Sequence, residues 1–485
     1  MSSQVLNSPA ESATRTSGRT PPVIRLLVLA TFIVILNETI MINAIPNLMD
    51  ALRITEQTAQ WLSTAFMLTM AAVIPITGWF LQRVSTRGAY ATAMGLFLLG
   101  TASAIVAPSF EMLLGARIIQ ASGTAVMMPL LMTTLMHVVP EHDRGKVMGN
   151  VTLAISVAPA MGPALSGVIL NFGSWRLLFA VVLPIAALIT WGGLKQLKNV
   201  GEPEAGTIDW LSVVLATLGF GGLVYGLSRF QGPDAGLAAG IVAVGLLAIT
   251  AFVFRQLSLQ KAGSPLMDLR TLQHRTYTVA LILMSVAFMA MLGSMILLPL
   301  YLQNIRGLSA LEAGLLVMPG SLAMGLLGPS VGRLFDRFGG RVLVIPGSIA
   351  ITLALAGLTQ VSMTTPFWLI LGMHALLMVG LAATFTPVFT LGLGAVPPPL
   401  YSHGSSILGT LQQVAAAFGT ALVVTVMSAR ADSLKEEGVA AAAATLDGMR
   451  LAFVIGAALS VAVIITALLL PARAESTAGG IGHGH

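Results

Sequence analysis

Long apolar runs separated by short polar segments dominate this chain from residue 23 to residue 470. A run of about 20 apolar residues can cross the hydrocarbon core of a bilayer as a helix, because a helix satisfies its own backbone hydrogen bonds there. Glycine, proline and charged residues mark the breaks between runs. They divide the chain into about fourteen predicted spans, the first over 23–46 and the last over 448–470. We therefore expect an all-α integral membrane protein.

The composition supports this prediction and excludes several other classes of protein. Only 9% of the 485 residues are charged, whereas soluble domains carry roughly 25%. The net charge of +6 comes from thinly spread Lys and Arg, so we expect no nucleic-acid partner. Cysteine is absent, which excludes disulfides and cysteine-based catalysis or metal sites. The sequence also lacks a phosphate-binding loop and a Ser/His/Asp arrangement, so we expect neither an enzyme nor ATP-driven transport, and no metal or other cofactor.

The Lys and Arg residues are distributed unevenly between the two sides of the predicted membrane. The N-terminal segment and the loops on its side hold 17 of the 25, the other side holds seven, and Arg117 lies within a span. Because basic residues concentrate on the cytosolic side of membrane proteins, both termini are expected in the cytosol. Residues 1–22 and 471–485 are then cytosolic tails, and the first is expected to be disordered because it is rich in Ser, Thr and Pro.

The two ends of the chain repeat each other at a nearly constant distance. Pro46 recurs as Pro299, 253 residues later, and the segment Gly78–Arg83 recurs as Gly332–Arg337, 254 residues later. The repeat predicts two parallel six-helix halves with two inserted helices between them. The predicted boundaries are 23–197 for the first half, 208–257 for the inserted helices and 277–470 for the second half.

Four motifs stand at specific places in the predicted spans and loops. The loop Gly332–Arg341 reads G-R-L-F-D-R-F-G-G-R, and Gly78–Arg87 is a degenerate copy with Gln82 in the place of the aspartate. The spans carry Arg117-x-x-Gln120, Gly162-Pro163-Ala164-Leu165-Ser166-Gly167 and Leu36-Asn37-Glu38-Thr39-Ile40. Together these segments resemble the motifs of the major facilitator superfamily, specifically its fourteen-helix drug:proton antiporter family, the EmrB/QacA-like multidrug exporters.

The resemblance implies a major facilitator fold in the bacterial cytoplasmic membrane, and a proton-coupled multidrug efflux transporter (drug:proton antiporter) that works by alternating access. Its partners would be amphipathic or cationic small-molecule substrates, protons as the coupling ion and membrane lipids, and no adaptor protein is indicated. An exporter of an endogenous lipid or metabolite on the same fold is one alternative, and a passive channel or non-transporting receptor is another. The chain departs from the family at Asn37, where the family has aspartate, and the acid follows one residue later.

Glu38 is the carboxylate that we place deep within a predicted span. Ionisable groups inside a membrane are costly to bury and are functional by default, although a permanently hydrogen-bonded packing residue is the alternative. We predict that Arg117 is its partner, because both residues lie to the extracellular side of their helix centres and a guanidinium keeps its charge; a structural arginine that bonds helix carbonyls is the alternative. In the repeat Arg117 corresponds to His374 and Glu38 to Met291. We therefore expect proton coupling mainly in the first half, with His374 either a second proton site or a neutral core histidine.

Two further sets of residues are candidates for the substrate site and for conformational change. Thioethers, aromatic rings and scattered polar groups suit a cavity that accepts varied molecules, with lipid contact or packing as the alternative. The candidate cavity residues are Asn37, Gln120, Thr124, Met128, Met284, Phe288, Met291, Met295, His374, Ser406, Thr410 and Gln413. The candidates for a hinge or seal and for cytosolic latches are Gly78, Arg83, Pro159, Gly162, Pro163, Gly167, Gly332, Asp336, Arg337 and Arg341.

Overall fold

Fourteen helices within the described residues are long and apolar enough to cross a membrane, which confirms the predicted number of spans. The computed structural model describes residues 20–41, 44–200, 206–230 and 235–471, and all regular structure within these ranges is helical. The predicted tails at 1–22 and 471–485 therefore lie almost entirely outside the described residues.

Seven helices make up the first part of the chain, and all except the second are long enough to cross a membrane. They are α1 (Pro22–Ile40), α2 (Ile45–Leu52), α3 (Glu56–Arg83), α4 (Thr86–Val106), α5 (Phe110–Val138), α6 (Arg144–Asn171) and α7 (Arg176–Gln196).

Two inserted spans and six further spans follow. The first inserted span consists of α8 (Trp210–Ala216), a π-helical segment (Thr217–Gly221) and α9 (Gly222–Arg229), and the second is α10 (Ala235–Ala262). The remaining helices are α11 (Arg275–Leu300, continued by a π-helical segment to Ile305), α12 (Ala310–Phe338), α13 (Arg341–Leu358), α14 (Phe367–Gly394), α15 (Tyr401–Glu436) and α16 (Ala441–Leu469).

The first span ends earlier than the sequence predicts. α1 stops at Ile40 rather than at residue 46, and the chain starts a new helix at Ile45 with Pro46 in its first turn. Proline lacks the backbone N–H that a helix interior needs, but a first turn accommodates it well. The predicted depth of Glu38 is corrected by this break, because the residue lies in the last turn of α1.

An even number of spans brings both ends of the described chain to the same end of the helix bundle. At this end α3 finishes at Arg83, α6 begins at Arg144 and α12 finishes beside Arg337. We call it the basic end, and it is the end that the charge distribution predicts to face the cytosol. We call the other one the opposite end.

The two halves meet along two seams, formed by α6 with α12 and by α3 with α15. Near the basic end of the α6–α12 seam, glycines let the backbones touch. A side chain at Gly332 would overlap the carbonyl oxygen of Gly145, and one at Gly149 would overlap that of Gly328. Small residues permit this close approach of helices in membranes.

Side-chain hydrogen bonds also join the halves towards the basic end. They link Gln82 Nε2 to the Pro399 carbonyl at 2.9 Å, Thr133 to Ser405 at 2.8 Å, Thr152 to Thr386 at 2.9 Å and Ser406 to the Ile74 carbonyl at 2.6 Å. Together with the glycine contacts, these bonds close the halves against each other at the basic end.

The inserted helices α8–α10 form an antiparallel hairpin, which we call the inserted hairpin. Asp209 accepts a hydrogen bond from Ser212 N at 3.1 Å and so caps α8. Arg255 of α10 donates to both carboxylate oxygens of Asp209, at 2.9 and 3.1 Å. These bonds from Arg255 lower the pKa of Asp209 to about 2. The ion pair ties the two helices together at the basic end.

Candidate functional site

Arg117 is held in place by residues from three helices. Its side chain is buried, with 1% of its surface exposed, and its Nη1 donates to Gln120 Oε1 one turn along α5. Gln120 Nε2 in turn donates to the hydroxyl of Thr101 on α4 at 2.8 Å. On the other side, the guanidinium carbon lies 4.2 Å from the ring centroid of Phe66 on α3, within the range of a cation–π interaction. A permanent positive charge is thus fixed inside the first half.

Glu38 lies near Arg117 without bonding to it. The two charges interact electrostatically, but within the described part of the chain they form no salt bridge, and Arg117 donates to Gln120 instead. The Glu38 side chain is partly accessible. Because no described residue donates a hydrogen bond to this carboxylate, it has the geometry of a group that can exchange its proton beside a charge that stays constant.

Asn37 and Glu38 face different surroundings, although they are adjacent. Asn37 is fully buried, and neither polar atom of its amide has a hydrogen-bond partner among the described residues. One residue turns a side chain by about 100° around a helix, and this turn brings Glu38 to the accessible side. The expectation that Asn37 lines a cavity is therefore corrected: its side chain lies inside the helix packing.

The other candidates on α5 differ in accessibility. Gln120 is fully buried and accepts a hydrogen bond from Arg117. Thr124 is buried, and its hydroxyl donates to the Gln120 carbonyl at 3.1 Å. Met128 is partly accessible. Of these three, only Met128 is not buried.

In the second half, aromatic and thioether side chains lie together on α11 and α14. Phe288, Met291 and Met295 are partly accessible, whereas Met284 is fully buried in the core. The ring of Phe288 stacks on Phe385 of α14 with centroids 5.7 Å apart. Burial removes Met284 from the predicted cavity lining, and the stacking brings Phe288 against Phe385, a buried ring for which the repeat and the motifs gave no signal.

Four polar candidates of the second half are placed in different ways. His374 is buried against Gly320, and its ring nitrogens have no hydrogen-bond partner by geometry among the described residues. Ser406 and Thr410 are buried and donate to backbone carbonyls, Ser406 across the α3–α15 seam and Thr410 within α15. Their hydroxyls are therefore engaged and do not form the ligand-facing surface that the spacing predicted. Gln413 is partly accessible.

Asp336 bonds across the α6–α12 seam to the first turn of α6. Its two oxygens accept hydrogen bonds from the backbone N–H of Gly145 at 2.8 Å and of Lys146 at 2.7 Å. A helix leaves these first N–H groups without partners inside the helix and carries a positive partial charge there. Asp336 thus caps a helix of the other half, and we call this contact the Asp336 latch. Gly332 permits it by close approach, while Arg337 and Arg341 lie at the same end.

The repeat partner of Asp336 makes a different contact. Gln82 donates to the Pro399 carbonyl, just before α15 begins, and accepts a hydrogen bond from Arg83 Nη1 at 3.2 Å. Gly78 lies one turn earlier, where an added Cβ would meet His403 Nδ1 at 2.9 Å. The degenerate copy of the motif therefore also faces the other half, but through neutral groups.

The proline and glycine segment in α6 contacts α1 of its own half. A side chain at Gly162 would overlap Thr39, which follows Glu38. Pro159 is partly accessible, an added Cβ at Gly167 would meet only open space, and the side chain of Pro163 lies outside the described atoms. The segment thus brings α6 close to the helix end that carries the acid, instead of meeting the second half.

Within the described ranges, no group of three or more His, Cys, Asp or Glu side chains converges as metal ligands would. The chemistry available at the site is that of one carboxylate, one fixed guanidinium and the polar and aromatic groups around them.

Comparisons with known proteins identify relatives over most of the chain. A family model described as Major Facilitator Superfamily matches residues 27–420. The chain is 40% identical to the "Lincomycin resistance protein LmrB" of Listeria monocytogenes, over 84% of this chain and 86% of that protein. It is 38% identical to the "Uncharacterized MFS-type transporter YcnB" of Bacillus subtilis, over 90% and 92%. It is 27% identical to the "Multidrug resistance protein Stp" of Mycobacterium tuberculosis, over 83% and 74%.

Two solved structures share the fold. The human organic anion transporter MFSD10 (TETRAN) matches with a TM-score of 0.63 and 16% identity, over 91% of this chain and all of that one. The proton:xylose symporter XylE matches with a TM-score of 0.61 and 15% identity, over 91% and 95%. At these identities the likeness concerns the fold alone.

Proposed function

The chain belongs to the Major Facilitator Superfamily, and from this premise we propose that it is a proton-coupled multidrug efflux transporter, a drug:proton antiporter. It is a multi-pass membrane transporter and not an enzyme. The resistance proteins among its relatives support drug-like substrates. We place it in a bacterial cytoplasmic membrane with both termini in the cytosol, on the distribution of its Lys and Arg residues.

The observation that carries the proposal is the pairing of a free carboxylate with a fixed cation. Glu38 is partly accessible and is not tied by a hydrogen bond to any described residue, while Arg117 is locked by Gln120 and Phe66. A proton on Glu38 removes the attraction to Arg117, and its loss restores it. The protonation state therefore changes the energy of any conformation that alters the separation of the two groups.

Alternating access gives this pair a function. The halves are closed at the basic end, and we propose that the partly accessible Glu38 is reached from the opposite end in this conformation. We propose that Glu38 takes up a proton there, that the halves rock, and that substrate binding at the basic side releases the proton to the cytosol. Inward proton movement would then drive export.

The proposed substrates are amphipathic or cationic, and protons are the coupling ion. The partly accessible ring of Phe288 offers an aromatic face that attracts cations. Met128, Met291 and Met295 offer flexible, polarizable contacts that adapt to varied apolar shapes. We propose that no metal or organic cofactor takes part, and membrane lipids surround the protein.

Substrate-induced proton release from the detergent-solubilised protein tests the proposal. A pH dye in weak buffer should report protons when a cationic dye such as ethidium is added to the native chain, and no release from the Glu38→Gln variant. The matched control is Glu312→Gln, which removes an exposed carboxylate at the start of α12 and should release protons like the native chain. Silence of the native chain across a broad panel of drugs would contradict the proposal and favour export of an endogenous lipid or metabolite.

A further inference from the structure

The two seams between the halves are covered differently. The inserted hairpin packs against the α3–α15 seam, where Leu223, Val224 and Leu227 of α9 form one apolar cluster with residues of both halves. The cluster partners are Ala71 of α3 and Ala417 and Ala421 of α15. One face of the hairpin therefore contacts the two halves at once.

Further contacts fix the hairpin at this seam along its length. Towards the opposite end, the rings of Tyr225 on α9 and Trp61 on α3 lie 5.6 Å apart. Between the two helices of the hairpin, an added Cβ at Gly226 would meet the backbone N of Val242 at 2.9 Å, so their backbones nearly touch. The hairpin is thus a closely packed unit and covers the seam as one piece.

Both connections of the hairpin are anchored at the basic end. The preceding connection is bonded to the first half, because Val200 N donates to the hydroxyl of Thr86 at 3.1 Å. In the following connection, the backbone N–H groups of Leu266 and Met267 donate to Gln256 Oε1 at 2.7 and 3.1 Å. The first bond ties the preceding connection to α4 of the first half, and the bonds to Gln256 hold the following connection against α10.

No comparable element covers the α6–α12 seam within the described residues. Its helices meet each other through Gly149 and Gly328, and further along Val157 lies against Gly325. Leu326, the next residue on α12, has 67% of its surface exposed. Small residues let the backbones of α6 and α12 approach closely here, and the two helices form this seam without a third element on its outer side among the described residues.

We propose that the inserted hairpin is a lateral seal, which closes the α3–α15 seam to lipid and leaves the α6–α12 seam as the entrance for substrates dissolved in the bilayer. Amphipathic drugs concentrate in membranes, and a molecule that leaves the lipid sideways needs a seam at which only two helices must part. At the α3–α15 seam it would also have to displace the hairpin. The inference rests on the proposed function for the identity of the substrate, but the seal itself does not depend on it.

The absence of cysteine from the native chain makes a direct test possible. Single cysteines are introduced at Ala417 under the hairpin and at Val157 in the uncovered seam, and the protein is reconstituted in liposomes. Pyrene maleimide dissolved in the lipid is compared with a membrane-impermeant sulfonated thiol reagent. We expect the lipid-dissolved reagent to modify Val157→Cys about tenfold faster than Ala417→Cys, the ratio for a seam that opens about ten times more often. The water-soluble reagent should modify both cysteines more slowly than the lipid-dissolved reagent modifies Val157→Cys.

A second variant shows whether the hairpin provides the protection. Leu223→Ala with Leu227→Ala loosens the hairpin on the seam, and we expect it to raise labelling of Ala417→Cys several-fold while labelling of Val157→Cys stays constant. Equal labelling of the two cysteines in the native background would overturn the proposal. So would unchanged protection of Ala417→Cys in the loosened chain, because the contact between α3 and α15 would then be the barrier.

Measurements of dye efflux after labelling test this inference separately from the proposed function. Pyrene attached at Val157→Cys should stop efflux of a lipid-partitioning bisbenzimide dye, whereas the unlabelled variant should retain it. Efflux that continues after full labelling would overturn the entrance at α6–α12 and leave drug export intact. If the native chain exports no drug at all, the proposed function fails, and the labelling rates still decide whether the hairpin is a seal.

Discussion

The two halves of this chain carry different chemistry at corresponding positions within the helices. The first half has Glu38 and Arg117, and the second half has Met291 and His374 in their places. Arg117 is fixed by hydrogen bonding and by an aromatic ring, whereas His374 is buried without a hydrogen-bond partner for its ring nitrogens among the described residues. At these corresponding positions, therefore, the acid and the fixed cation are found in the first half.

At the basic end, the charged residue of the corresponding pair belongs to the second half. Asp336 of the second half is a carboxylate that accepts two backbone hydrogen bonds from α6, while Gln82, its counterpart in the first half, donates one to the Pro399 carbonyl. Charge-assisted bonds are roughly twice as strong as neutral ones. At the two pairs of corresponding positions, the first half carries the acid beside Arg117, and the second half carries the charged latch.

α6 lies between these two charged places. Its first turn is capped by Asp336, and its Gly162 packs directly against Thr39, beside Glu38. Because a helix moves largely as a rigid body, we expect displacement of α6 at the latch to shift the end of α1. This arrangement offers a physical connection between closure at the basic end and the surroundings of the acid.

The largest expected effect comes from moving the acid to the other half. In Glu38→Gln with Met291→Glu, the carboxylate is restored at the corresponding position, but the guanidinium of Arg117 remains in the first half. We expect drug efflux driven by a pH gradient in liposomes to stay at background, as in Glu38→Gln alone. The control is Met291→Glu with Glu38 intact, which should still show gradient-driven efflux. Recovery of efflux in the double variant would contradict the assignment of proton coupling to the first half, because either half could then carry it.

The next effect compares Arg117 with His374. Arg117→Met removes the fixed charge beside Glu38, and we expect efflux to fall about tenfold, since 1.36 kcal/mol of lost interaction corresponds to a factor of ten. His374→Leu removes the counterpart, and we expect a change of less than about threefold, or about 0.65 kcal/mol, because we propose that coupling lies in the first half. Initial rates of ethidium efflux across a range of pH would measure both. Equal losses in the two variants would indicate that the second half also contributes to coupling.

The two latches should differ in strength. Asp336→Asn keeps the size of the side chain but removes the negative charge that faces the first turn of α6. We expect the conformation that is closed at the basic end to be destabilised by about 1 kcal/mol, which lowers its population relative to the open one about fivefold. Gln82→Leu removes one neutral hydrogen bond near the surface and should change the population by about twofold. Labelling of a cysteine at Ser405, buried in this closed region, reports opening. Comparable labelling in the two variants would show that the charge of Asp336 adds nothing.

Much of this arrangement could be predicted from the sequence. The spans follow from apolar length, but the loop predicted at Asp336 is wrong, because α12 continues to Phe338 and Asp336 lies in its last turn. Burial could not be predicted, because it depends on which face of each helix meets a neighbour. Asn37 and Glu38 are adjacent but have different surroundings, and α1 ends at Ile40, before the new helix that contains Pro46. Phe66 and Thr101 had no sequence signal, since their roles arise only from contact with Arg117 and Gln120.

The smallest expected effect concerns an ion pair outside both halves. Asp209 is bonded by Arg255 within the inserted hairpin, and these bonds lower its pKa to about 2 from an ordinary value of 3.8. Because the folded state lowers the pKa of this carboxyl group, the ion pair stabilises the fold fully at pH values above the ordinary pKa of 3.8. This stabilisation is lost as the pH falls towards 2. Asp209→Asn keeps a capping side chain but loses the ion pair, and we expect it to cost about 0.5–1 kcal/mol at neutral pH.

Thermal unfolding in detergent at several pH values measures this effect. The difference in melting temperature between the native chain and Asp209→Asn should narrow as the pH falls from 5 towards about 2, because protonation of Asp209 breaks the same ion pair in the native chain. Asp447→Asn is the matched control, since its ion pair with Arg430, at 2.8 Å, is more exposed and should contribute less. Proton release on drug binding should not change in either variant. A loss of proton release in Asp209→Asn would extend the coupling beyond the first half and into the inserted hairpin.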